Sequence, residues 1–381
     1  MWYNVHVKET YIFSRGVMYM ESNNIILILQ IYIYIIFAVL LFHGYAVVQL
    51  RTYEKQLNKK TIYWKKILRK SLSDNYRIGS ILLYRLRISI NLEAFRYAYS
   101  DIYEEDQRVV NIFVKNKKGF ISIGKNLRLT DKKAFFAYFL STCHMDKEEV
   151  YKPYLPLLRE YLYEKRSVYV CENAALSFIS FGDPETVCDL LDTLNSANID
   201  YNDIVLGNHL LKYPGNKAVL ARCMMKYYKT YKDNYKNVVL RFLKYSGIHI
   251  FDREFAKMLD NEVLNIPISV KCNMLRLISD VKSYKNEKVF LKIYEKYYMS
   301  SDWEPAAVAA KTLRGYNTDE AMHALIKGLR SKNWYIRVNS AESLAKNGIH
   351  PKYIAYVTSG NDRFAIEALI SALASEKNGI G

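Results

Sequence analysis

Hydrophobic and polar positions follow different rules in different parts of this chain. From Ser22 to Leu50 there is no charged side chain, and Ile25–Phe42 is aliphatic and aromatic apart from Gln30 and two tyrosines. A core helix of that length keeps a polar face, and this one has none. At about 1.5 Å per residue, the run with its Gly44–Leu50 extension is long enough to cross a bilayer core. A cleaved signal peptide fits less well: the stretch exceeds an h-region, its N-side is not clearly basic and no A-x-A site follows. The pattern predicts a transmembrane helix over 25–48. Residues 1–24 read as a short tail, or as an upstream extension ahead of a start at Met18 or Met20.

Beyond the apolar run the polar positions become basic. Between Arg51 and Ser100 there are twelve Lys/Arg and three acids, a net of +9 out of the chain's +17. Lys8 and Arg15 stand before the span, against eight cations between Arg51 and Lys70, so the positive-inside rule puts the C-terminal bulk in the cytoplasm. Tyr53, Leu57, Ile62, Tyr63, Trp64, Ile67 and Leu68 interleave with those cations. This composition predicts a juxtamembrane segment, 49–90, lying along the membrane with Lys59, Lys60, Lys65, Lys66, Arg69 and Lys70 on anionic lipid head groups.

Farther along, the apolar positions take helical spacing and the pattern repeats. Placing Trp303 on Trp334, a shift of 31, superposes Ser300/Ser331, Ala310/Ala341 and Leu313/Leu344. Small residues recur where helices approach closely and larger apolar ones recur a turn later, which is a packing pattern. Helix punctuation agrees: Asp302 with Pro305 marks a start, Asn317 with Glu320 has the form of a capping box, and Asn333 caps a helix that Gly348 ends. Upstream, placing Gly182 on Gly348 puts Asn173 on Asn339 and Ala175 on Ala341, with Asp183 capping a helix opened by Pro184. That offset, 348 − 182 = 166, is five units of about 33 residues, the period of a helical solenoid.

The stretch "DWEPAAVAAKTLRGYNTDEAMHALIKGLRSKNWYIRVNSAESLAKNG" resembles the short bacterial form of HEAT repeats, the phycobilisome-lyase-like kind. Asn333, Arg337, Ala341, Leu344 and Gly348 match the pattern, whereas the preceding unit has Ala306 where the Arg would be. The match is good over 302–348 and fair over 167–195; elsewhere it rests on period alone. The resemblance implies an all-α fold, a transmembrane helix followed by a HEAT-type α-solenoid of roughly eight to nine helix pairs over 91–376. Such repeats occur in scaffolds, adaptors, bilin lyases, a DNA glycosylase family and an iron hydroxylase, so they specify fold better than function. By analogy, single-span bacterial proteins of this look accompany membrane glycosyltransferases that make surface polysaccharide.

Chemistry-bearing residues are scattered. Cys143, Cys171, Cys188, Cys223 and Cys272 form neither a C-x-x-C nor a cluster, which predicts reduced, buried thiols. None of the seven histidines is followed by Glu, so the His–Glu dipeptides of the iron hydroxylases are missing. There is no Walker-type loop, G-x-S-x-G or H-E-x-x-H. The basic, tyrosine-rich stretches 224–237 and 282–298 raise nucleic acid as a partner, but their spacing reads better as helices packing between repeats. Trp303 and Trp334 recur at one place in successive units, as packing residues or as a ladder on which a partner docks, and Arg337 reads as a donor to the adjacent turn.

The expectation is a single-pass protein of the cell membrane, anchored through an integral span and anionic lipid, whose cytoplasmic solenoid is a non-enzymatic scaffold for a protein partner at the inner membrane. No catalytic, cofactor-binding or metal-binding residue is assigned, and no cofactor. The alternative is a lyase-like or DNA-glycosylase-like enzyme, or a basic solenoid on nucleic acid; an enzyme would require Asp, Glu or His converging in one pocket.

Overall fold

The computed structural model describes residues 3–164, 166–261 and 263–379, with side chains from Leu27 onward apart from Ile28. The described residues contain helices and no strand. The chain divides into two compact units, residues 1–119 and 120–381.

The first unit is built on one very long helix. α1 (Tyr3–Ser73) takes in the expected tail from Tyr3 onward, the whole apolar run and the first half of the basic segment without a break; Met1 and Trp2 lie outside the described residues. Between Leu29 and Leu50 every described side chain is exposed except half-buried Val47. After that the helix gains a covered face. α2 (Ser80–Arg85) follows, and then α3 (Ser89–Glu105), which packs along α1. Trp64 and Leu68 are buried there, and Trp64 meets Phe95 edge-on at 5.3 Å between ring centroids. Residues 91–105, expected to open the repeat series, instead form this partner of α1. α4 (Asn111–Lys115) leads into α5 (Lys117–Lys125), within which the boundary between units falls.

The second unit is a serial stack of short helices. They are α6 (Thr130–Ser141), α7 (Glu148–Tyr151), α8 (Leu155–Leu162), α9 (Val168–Ser180), α10 (Pro184–Ser196), α11 (Asp203–Leu210), α12 (Lys217–Tyr227) and α13 (Asp233–Tyr245). After them come α14 (Asp252–Asp260), α15 (Ile268–Ile278), α16 (Tyr284–Tyr297), α17 (Glu304–Thr312), α18 (Asp319–Gly328), α19 (Trp334–Lys346), α20 (Pro351–Thr358) and α21 (Arg363–Lys377). One row runs α6, α9, α11, α13, α15, α17, α19, α21, each helix packed on the next. A second row holds α8, α10, α12, α14, α16, α18 and α20; α14, α16 and α18 stack in order, and each packs on the first-row helix that follows it.

Two devices make the rows. Small residues let backbones come close: Ala306, Ala309 and Ala310 on α17 and Ala341 on α19 are buried, and polar side chains of α19 reach carbonyls of α17. Asn339 Nδ2 donates to the Ala307 carbonyl at 2.8 Å and Ser343 Oγ to the Ala310 carbonyl at 2.8 Å. Ser177, which lies 343 − 177 = 166 residues before Ser343, makes the same kind of bond from α9 to the Ala137 carbonyl of α6 at 2.7 Å. The second device is side-chain bonding one period along the chain: Tyr213 to Gly182, Arg241 to Asn208, Lys292 to Asp260 and Lys327 to Glu295 span 31, 33, 32 and 32 residues. The repeat of roughly 33 residues seen in the letters is thus the spacing at which side chains meet.

Helix ends follow the punctuation in part. Asn333 accepts from the Tyr335 and Ile336 amides, Asp183 accepts from the Thr186 amide, and Gly182 and Gly348 sit at φ +73° and +71° just past helix ends, where a side chain would be strained. Two expected starts are corrected. Thr318, not Asn317, caps α18, its hydroxyl accepting from the Ala321 amide, and α17 begins after Trp303 with no side-chain cap from Asp302. At Gly328, the last residue of α18, a Cβ would lie 2.2 Å from both Ser340 Oγ and Tyr294 Oη, so glycine permits the close approach there. Tyr228, Tyr231, Tyr235 and Tyr294 in the basic stretches are buried between helices, the packing that their spacing predicts.

Asn347 joins α19 to the turn after α17: its amide nitrogen donates to the Leu313 and Tyr316 carbonyls at 3.1 and 3.0 Å, and its oxygen accepts from the Gly315 amide. Asn347→Ala should therefore cost about 2–3 kcal/mol by leaving these buried groups unpaired. Urea denaturation of parent and variant checks this, and a cost below about 0.5 kcal/mol, the size of a neutral surface change, would contradict it.

Candidate functional site

Helical geometry sorts the basic residues of α1 into two sets. Residues 51, 55, 59, 62, 66 and 70 recur at three- and four-residue steps and so share one face. Arg51, Lys55, Lys59, Lys66 and Lys70 on it are exposed and have no hydrogen-bond or ion-pair partner among the described residues, and Ile62 is exposed beside them. The other set faces α3: Lys60 Nζ donates to Asn91 Oδ1 at 2.8 Å, Lys65 pairs with Asp101 at 2.5 Å and Arg69 with Glu105 at 2.8 Å. Of the six expected lipid contacts, Lys60, Lys65 and Arg69 thus have protein partners, leaving Lys59, Lys66 and Lys70 open. Asp101 and Glu105, the carboxylate partners of Lys65 and Arg69, lie about 36 residues downstream, which no local pattern announces.

The second candidate set assembles at the beginnings of α17, α19 and α21. Trp303 is half-buried and stacks on Tyr335, with centroids 5.0 Å apart and planes 3° apart. Trp334 meets the same tyrosine edge-on at 5.0 Å. Arg337 donates through Nη1 to the Ser331 carbonyl at 2.8 Å, and its guanidinium lies 5.2 Å from the Phe364 ring centre. The expected bond to the adjacent turn is therefore replaced by one to its own preceding turn and a cation–π contact with α21. The two tryptophans are not equivalent: Trp303 packs between successive helices, whereas Trp334 keeps 58% of its surface exposed. Tyr335 and Phe364 are 53% and 64% exposed, so the sequence-predicted trio sits in a larger aromatic platform.

Carboxylates also converge on one cavity of about 560 Å³ lined by Glu164, Glu172, Asp200, Cys171 and Tyr201. Glu164 is bonded to Lys133 at 2.6 Å, and the ammonium holds its carboxyl below the ordinary range. Behind the wall, His209 Nε2 is 3.4 Å from Glu172, and burial lowers the imidazole's pKa, so it is neutral at pH 7. Burial pushes the Cys171 thiol up to about 11, which leaves it protonated and weakly nucleophilic. Cys272 is likewise raised to about 11, and all five thiols are buried.

No protein-family model matches the chain, and no curated protein matches it.

Because Trp334 touches mainly Tyr335 and water, Trp334→Ala should cost only about 1 kcal/mol, the size of one ring–ring contact. Trp303→Ala removes a half-buried ring from between helices and should cost at least twice as much, toward the ~3 kcal/mol of a core aromatic. Thermal unfolding of the two variants checks the order, and equal losses would contradict it.

Proposed function

We propose that this protein is a membrane-anchored scaffold whose C-terminal helices form a HEAT-type solenoid that holds a protein partner on its aromatic platform. The observation that carries the reading is Trp334, left mostly exposed on a rigid helix beside exposed Tyr335 and Phe364 and the stacked Arg337. Folded surfaces rarely leave such clusters open, and Trp, Tyr and Arg are the side chains that anchor protein interfaces. The recurrence of helix-to-helix bonds at 31–33 residues supports the HEAT reading, as does the resemblance of residues 302–348.

An all-round exposed apolar helix supports a membrane span at the beginning of the chain. With the cations on its C-terminal side, the platform belongs to the cytoplasm. Because α1 continues unbroken, Lys59 stands about 14 Å and Lys70 about 30 Å past Leu50 along the axis. Charge is screened over about 8 Å at physiological salt, so anionic head groups engage Arg51, Lys55 and at most Lys59. This replaces a segment lying flat on the membrane with one projecting from it. Carried over from the resemblance, the partner is a membrane enzyme of the glycosyltransferase kind.

Alkaline carbonate should leave the full-length chain in the membrane pellet. A photo-crosslinking residue at position 334 should capture one discrete protein in membranes, and the same residue at exposed Tyr169 of α9 should not. Release by carbonate would remove the anchor, and identical capture from both positions would remove the platform.

A further inference from the structure

A second surface, on the other row of helices, has a different chemistry. The second row stacks closely from α14 through α18, but packing thins between α18 and α20, where a cavity of about 590 Å³ opens. Three tyrosines line it, Tyr298 after α16 and Tyr353 and Tyr356 on α20, together with Lys327, Arg330 and Lys352. Each cation lies over one of the rings: Lys327 Nζ is 5.1 Å from the Tyr298 centroid, the Arg330 guanidinium 5.3 Å from that of Tyr356, and Lys352 Nζ 4.7 Å from that of Tyr353. His323 adds an imidazole edge-on to Tyr353 at 5.8 Å. None of the lining residues is a carboxylate; among the described residues, the acid bonded to these cations is Glu295, which reaches Lys327 at 2.6 Å.

Gathering cations around one concavity costs repulsion that a surface normally relieves with interspersed acids, and here Glu295 relieves Lys327 alone. For Arg330 and Lys352 the rings serve instead, since a cation over a tyrosine face is attracted without being neutralised. Arg330 is further fixed by an Nη2–H bond to Tyr356 Oη at 3.3 Å, which leaves other edges of its planar fork for an anion. Several charges on one compact group, as on a phosphate, match the two cations without an acid partner, Arg330 and Lys352, better than a single carboxylate does. Apart from Ile326, the apolar walls are flat rings, which suit a flat ring by stacking. The volume is that of a small-molecule site.

We infer that the cleft between α18 and α20 binds a nucleoside phosphate, its phosphate held by Arg330 and Lys352 and its base stacked on Tyr356 or Tyr353. This site is separate from the tryptophan platform, which lies at the beginnings of first-row helices, and it stands whether or not that platform docks a partner.

Equilibrium dialysis of the full-length chain in detergent against ATP, GTP, AMP and GMP tests it. At least one of them should bind saturably at one equivalent. Arg330→Gln, Lys352→Gln and Tyr356→Ala should each weaken binding at least tenfold, while adenosine and inorganic phosphate alone should compete at least a hundredfold more weakly than the whole nucleotide. Lys352 is exposed, so Lys352→Gln should melt like the parent and keeps the test independent of folding. No saturable binding of any of the four would overturn the inference. So would binding unchanged in both Arg330→Gln and Lys352→Gln, or displacement by an octaglutamate peptide or a dT oligonucleotide at concentrations as low as by the nucleotide itself, which would mark a general polyanion surface.

Discussion

The second unit depends on how closely one first-row helix can approach the next. Ala310 and Ala341 are buried at these contacts, and Asn339 and Ser343 spend their side chains on carbonyls of the preceding helix. A helical carbonyl bonded within its own helix keeps a second lone pair, so such bonds satisfy buried Ser343 and half-buried Asn339 without unwinding the neighbouring helix. The bond also fixes register: Ser343 reaches Ala310 only if α19 sits at one height against α17. The aromatic platform follows from that register, because Trp303 stacks flat on Tyr335 only when the beginnings of α17 and α19 are level.

The same constraint explains where surfaces are left over. Each helix of a serial stack is covered by its neighbours in the stack, and surface is left where that cover stops: Trp334, Tyr335 and Phe364 stay exposed. The platform forms at the beginnings of three first-row helices, and the tyrosine–cation cleft forms where the second row opens between α18 and α20. In α1 the logic is one of faces: Trp64 and Leu68 are buried toward α3 while Lys59 and Lys66 on the opposite side stay open. The exposed apolar run and this half-covered segment belong to one unbroken helix, so a single element changes from exposed on every side to covered on one.

Much of this was legible in the letters, and the rest was not for identifiable reasons. Asn333, Asp183, Gly182 and Gly348 act through bonds within a few residues, so their types in sequence were enough to mark helix ends. Thr318 beside Asn317 shows the limit of such marks, since two adjacent capping residues compete and the backbone decides. The pairing of Lys65 and Arg69 with Asp101 and Glu105 depends on α3 folding back along α1, which charge patterning in α1 cannot reveal. Trp334 matches Trp303 in the repeat but not in burial, because a recurring letter fixes the position on a helix and not what covers it. The cleft is not legible in the letters for a related reason: Tyr298, Arg330 and Tyr356 are spread over successive connections of the stack and form no local motif.

From α6 onward the chain is a serial stack in which each helix leans on its neighbours. Hydrogen–deuterium exchange of the parent and of Ala341→Leu, which overpacks the α19 contacts, tests it most directly. Faster exchange confined to α17–α21, with α6–α13 unchanged, is the predicted result; an equal loss of protection along the whole unit would contradict it, since the helices would then form one cooperative globule instead of a stack.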